Sequence, residues 1–185
     1  MEAASANDWS RVRRPEGGAL LRVWFRQLAS DLWGPLLAPR WYHTWIELVD
    51  PDDRPADRPL AAGIYDKERD GERRALLMSQ RWEYEGPQLR RYDPGYHLVT
   101  CPDFGEADFL RLRALAEGGH DEDLGPYSFV CAWNDLFDEE DALNCMIWVE
   151  AFVRGVGGPD DVLHRTGLAF GAHLAKRARR TPIFD

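Results

Sequence analysis

Four short extended runs, 42–49, 60–65, 75–84 and 96–100, the first dominated by β-branched and aromatic residues, narrow most sharply the folds open to this chain. Charged or Pro- and Gly-bearing segments separate them: Asp50-Pro51-Asp52-Asp53-Arg54-Pro55, residues 66–73, and Gly86-Pro87. Runs of this composition fit a pleated, half-buried surface, and their separators carry turn and breaker residues. The spacing predicts an antiparallel meander.

The periodicity on either side is helical. In residues 20–33, Leu21, Trp24, Phe25, Leu28 and Leu32 recur at helix spacing before Pro35 and Pro39, which predicts an amphipathic helix. Residues 106–117 carry Phe109, Leu110, Leu112, Leu115 and Ala116, with Gly118-Gly119 as a stop. A short strand near 127–133 and an acidic loop, 134–141, come next. Two last helices are expected over 142–154 and 161–179, split by Gly155-Val156-Gly157-Gly158-Pro159, with Asp160 as N-cap of the second. The result is an α+β fold: one antiparallel sheet packed against helices, a single domain over 19–185. Residues 1–18 are polar and end in Pro15-Glu16-Gly17-Gly18, so a flexible N-terminal segment is expected.

At 185 residues and 44% hydrophobic content the chain can bury one good core. Its formal net charge of -9 disfavours nucleic acid and anionic membranes as partners, because both reward a basic face. Met1 to Ser10 lacks the basic and apolar regions of a secretory signal, and residues 19–37 are interrupted by Arg22, Arg26, Asp31 and Pro35. The expectation is a cytoplasmic protein with no integral membrane association. Cys101, Cys131 and Cys145 form neither a disulfide framework nor a CxxC-type zinc site, which suits a reducing compartment. No cofactor and no metal are expected. His97 and Cys101 are two ligands without a third, and the carboxylates of 134–141 lack the glycine and terminal glutamate of a helix-loop-helix calcium loop. Phosphate-cradling glycines, a nucleophile-elbow serine and a zinc-protease helix do not occur.

Chemistry points instead to a histidine and a cysteine. His43 heads the first strand run, and Cys145 opens an apolar helix behind Asn144. An N-capping Asn144 would leave Cys145 in the first turn, where the macrodipole favours a thiolate and backbone N–H groups could hold an oxyanion. His43 could then take the thiol proton. Glu139, Glu140 and Asp141 act the other way, since negative charge close by raises a thiol pKa. For a group that orients the imidazole, Glu47 lies about 13 Å along an extended strand and is too far. Asp66, at the end of the next run, reaches His43 if the two runs pair antiparallel. The competing reading makes Cys145 a small core residue on a stripe with Trp148, Val149 and Phe152, and His43 a half-buried histidine at a sheet edge.

An early-strand histidine in a His-Thr setting, several strands, Tyr127-Ser128-Phe129 and then an Asn-Cys dipeptide opening a helix resemble the circularly permuted papain-like thiol hydrolases. That superfamily includes the NlpC-type, PPPDE-type and lecithin:retinol acyltransferase-like proteins. The resemblance spans about residues 42–155 and matches His43 and Cys145 to the catalytic pair. It implies a permuted papain-like fold and a cysteine peptidase or amidase working through an acyl-enzyme, or a thiol acyltransferase. The implied substrate is a peptide or protein, or a lipid ester, and a delivered effector would suit such a small acidic enzyme. The alternative is a non-catalytic interaction module on the same fold, using the 20–33 stripe or an exposed aromatic patch.

Overall fold

The computed structural model describes residues 17–27, 42–49, 60–79, 95–118, 122–128, 142–160 and 162–163. They form β1 (Ala19–Gln27), β2 (Tyr42–Leu48), β3 (Ala61–Arg69), β4 (Glu72–Ser79), β5 (Gly95–Cys101), α1 (Glu106–Ala116), β6 (Glu122–Pro126) and α2 (Cys145–Gly155). The sheet runs β5-β1-β2-β3-β4-β6, and every neighbouring pair is antiparallel. This is the expected α+β architecture. β1 to β4 form the meander, while β5 returns to the far side of β1 and β6 closes the other edge.

The first element departs from expectation. Residues 20–27 of the expected 20–33 helix belong to a strand, and the rest of that stretch lies outside the described residues. Pairing decides between the two periods. Leu21 and Val23 are fully buried at two-residue spacing, and β1 is laddered on both sides, to β2 through Trp24↔Trp45 and to β5 through Leu21↔Val99. A central strand satisfies its backbone on both edges, which outweighs a weak helical stripe.

The charged segment 66–73, expected to separate strands, is instead the tip of a hairpin. Its register runs unbroken from Ala62↔Ser79 to Arg69↔Glu72. Asp70 and Gly71 close it at φ 56° and 82°, the left-handed pair that a two-residue hairpin turn demands and that an Asp-Gly dipeptide tolerates. Strand β6 lies at 122–126, earlier than the expected 127–133; Tyr127, just past it, forms a parallel bridge to Leu143. Helix α2 starts at Cys145, not at 142, and ends at Gly155 as the glycines predict. Most of segment 1–18, the acidic loop 134–141, Cys131 and nearly all of the last expected helix lie outside the described residues.

Alternation gives the sheet an inner and an outer face. Leu21, Val23, Ile46, Leu48, Ala62, Ile64, Ala75, Leu77, Val99 and Cys101 point inward and are buried under both helices. Phe109, Leu112 and Leu115 bring α1 to this core. Helix α2 is buried from Cys145 to Val153 and packs on β2 and β3. Burial of a leucine-sized side chain contributes about 1.5–3 kcal/mol, so this shared layer is the main source of stability. The outer face carries Arg22, Trp24 and Arg26 opposite Glu47, Trp45 and His43.

Candidate functional site

The start of α2 is fixed by its neighbours. Leu143 N–H donates to Pro126 O at 2.9 Å and Ser128 N–H to Leu143 O at 3.0 Å, tying residues 142–144 to the end of β6. Asn144 then leaves the extended region (φ -144°, ψ 175°) as the N-cap, its Oδ1 accepting from the Met146 and Ile147 amides at 3.0 Å each. Its Nδ2 donates to Ser128 O at 3.4 Å. Two of the orphan amides of the helix are thereby satisfied. Cys145 is the first helical residue, as the sequence led one to expect.

The surroundings of its sulfur are a different matter. Cys145 is 6% exposed and belongs to the hydrophobic core cluster. Burial pushes its thiol pKa up, and the Thr44 backbone and hydroxyl, with the amides of Met146 and Cys145, pull down without offsetting it. Thr44 is therefore the residue at which Cys145 meets β2. The register explains why. Leu48 N–H donates to Leu60 O at 2.9 Å, and the β2–β3 ladder ends at Ile46↔Ala62. Residues of the same parity face β3 with their amides, so the next such amide, that of Thr44, lies just past the last laddered pair. The thiol stands beside it.

His43 precedes Thr44 and so turns to the outer face. It sits opposite Arg26 in the β1–β2 register, its ring 5.5 Å from Trp45 and 5.0 Å from Tyr65. Asp66 serves the β3–β4 hairpin: Arg73 Nε donates to its Oδ1 at 3.1 Å and Arg73 Nη2 to its Oδ2. That bond raises the Arg73 pKa. Glu47 accepts from Arg22 Nη1 at 2.8 Å and Trp24 Nε1 at 2.7 Å, tying β1 to β2 on the outer face. The structure thus joins Asn144 and Cys145 to Thr44, holds His43 on the opposite face of the same strand, and places Asp66 in an unrelated ion pair.

Two polar residues escaped the sequence reading. Thr44 is fully buried between His43 and Trp45, and its alternation with Ile46 and Leu48 was the available signal. Glu150, 3% exposed, accepts from the amides of Val162, at 3.1 Å, and Leu163. The only acid in α2, set within the apolar run from Met146 to Val153, marks it. Among the described residues no group of three His, Cys, Asp or Glu could hold a metal ion, and no helix is long and apolar enough to cross a membrane. Comparison with family models, curated proteins and solved structures gives no match.

Proposed function

We propose that this chain is a protein-interaction module in which Cys145 is a packing residue. One observation carries the reading: the thiol is buried against Thr44 with its pKa raised, while His43 occupies the alternate face of β2. A nucleophile needs its thiolate and a base within hydrogen-bond reach; burial disfavours the first, and His43 lies on the face of β2 away from the thiol. At one end of the sheet an apolar group is exposed: Leu20, Tyr96 and Leu98, at 40%, 48% and 52%, share its outer face along β1 and β5. A thiolate absorbance titration tests the reading. No signal assignable to Cys145, as the difference between wild type and Cys145→Ala, is expected at neutral pH; a neutral-pH thiolate lost in that variant overturns it.

The thiol-hydrolase reading has one observation in its favour. Capped α2 delivers Cys145 to β2 at the residue next to His43, the chain order and contact that a permuted papain-like arrangement uses. It requires His43 on the inner face, which a one-residue slip at the start of β2 would achieve, because such a slip exchanges the faces of every side chain it moves. His43 would then take the Cys145 proton, the thiolate would add to an amide or ester carbonyl, and the amides of the α2 start would hold the oxyanion. Collapse would transfer the His43 proton to the leaving group, and water or another acceptor would release the acyl-enzyme. The partner would be a peptide or protein, or a lipid ester, met in the cytoplasm or after delivery as an effector. Turnover of a peptide, ester and isopeptide panel, abolished by both Cys145→Ala and His43→Ala, would establish it; inertness of the wild type on the whole panel would remove it.

A further inference from the structure

The two edges of the sheet are built differently. Edge β6 is five residues long, bears Glu122, Asp123, Gly125 and Pro126, and joins β4 with a register shift between Arg74 and Leu76. Short length, charge, proline and irregular pairing are the devices by which an edge refuses another strand. Edge β5 has none of them: it is seven residues, Gly95–Cys101, with no proline and no carboxylate or guanidinium.

The backbone direction of β5 follows from the register. Val49 N–H donates to Leu20 O at 3.0 Å, so the even-numbered residues of β1 face β2 and the odd-numbered ones face β5. Their partners Val99, His97 and Gly95 face inward to β1, leaving the N–H and C=O groups of Tyr96, Leu98 and Thr100 on the open side. None of these six groups has a hydrogen-bond partner among the described residues. The same residues send their side chains to the outer face, where Tyr96 packs on Trp24 at 4.8 Å and under the Arg22 guanidinium at 5.6 Å. Beside them Leu20 and Leu98 stand exposed.

We propose that β5 is a self-association edge, pairing antiparallel with β5 of a second copy of this chain so that two sheets become one. Its outward-facing sequence is self-complementary. A two-fold axis at Leu98 sets Leu98 against Leu98 and Tyr96 against Thr100, so the open N–H and C=O groups answer one another across the axis. No like charges oppose, although each chain carries a formal -9. Leu98 loses its exposed area to its counterpart, as an isologous contact requires. The occupant rests on the interaction-module reading, but the two fail separately: a thiolate at Cys145 sinks that reading, whereas molecular mass decides the pairing.

The test is the mass of the full chain in solution by sedimentation equilibrium over a wide concentration range. Wild type is expected to approach twice 21.2 kDa and to dissociate on dilution. Leu98→Lys, which keeps every backbone group and sets two ammonium groups on the axis, is expected to be a folded monomer by circular dichroism. Leu110→Lys, at an exposed position on α1, should dimerise like wild type. Amide exchange at Tyr96, Leu98 and Thr100 should slow as wild type is concentrated. A wild type that stays monomeric, including one that takes up a foreign extended peptide at β5 instead, overturns the proposal. So does a Leu98→Lys variant that still dimerises, or a Leu110→Lys variant that does not.

Discussion

A single side chain decides how α2 begins. Asn144 holds two amides and reaches back to Ser128, so Asn144→Ala removes the cap and leaves buried donors without an acceptor. A loss of about 1–2 kcal/mol is expected in urea unfolding, the upper part of the usual range for a cap because this one is buried. The thiols give a pH dependence whose sign is fixed. Burial raises Cys145 above the ordinary value of 9.0 and Cys101 to about 12, so the folded chain keeps protons that the unfolded chain loses. The thiols' contribution to stability is therefore fully present below about pH 9 and is lost as pH rises from there towards 12. Unfolding midpoints should drop across that interval, and less steeply in Cys101→Ala; an unchanged slope in the variant would contradict the assignment. Asn144 and Cys145 were legible from the Asn-Cys dipeptide before an apolar run. Thr44 was not, because only the register shows which residue of β2 meets the helix.

Among the elements, strands β2 and β5 and helix α1 could be read to within a residue or two from composition and stops. β1 could not. Leu21, Trp24 and Phe25 fit helix spacing, while Leu21, Val23 and Phe25 fit a strand equally well, and only the partners on both sides settle the choice. The 66–73 hairpin was hidden by its charges: Asp66, Lys67, Glu68, Arg69, Glu72, Arg73 and Arg74 look like a loop, yet Glu68 opposite Arg73, Arg69 opposite Glu72 and the Arg73–Asp66 bond across the strands, with an Asp-Gly turn, make a ribbon of them. Glu150 ties α2 to the backbone at residues 162–163. Glu150→Ala strands two buried amides and should cost about 2 kcal/mol or more, with faster exchange at Val162 and Leu163 as the local readout. Glu150→Gln keeps one acceptor oxygen and should fall between the alanine variant and wild type. Equal stability of all three proteins would mean that the carboxylate holds nothing.

For the molecule as a whole, fold class followed from short strand runs before helical ones, whereas the joining of His43 to Cys145 depended on which face of β2 each would share. Sequence spacing carries no information on that point, since one residue of register separates the two outcomes. Everything turns on a Cys145 thiol sealed against Thr44 and out of reach of His43. Iodoacetamide labelling at neutral pH, read residue by residue by peptide mass, is the decisive experiment. Cys145 is expected to stay unmodified in the native chain, to react fully in urea, and to behave identically in His43→Ala. Rapid native labelling of Cys145 that His43→Ala suppresses would contradict the sealed thiol.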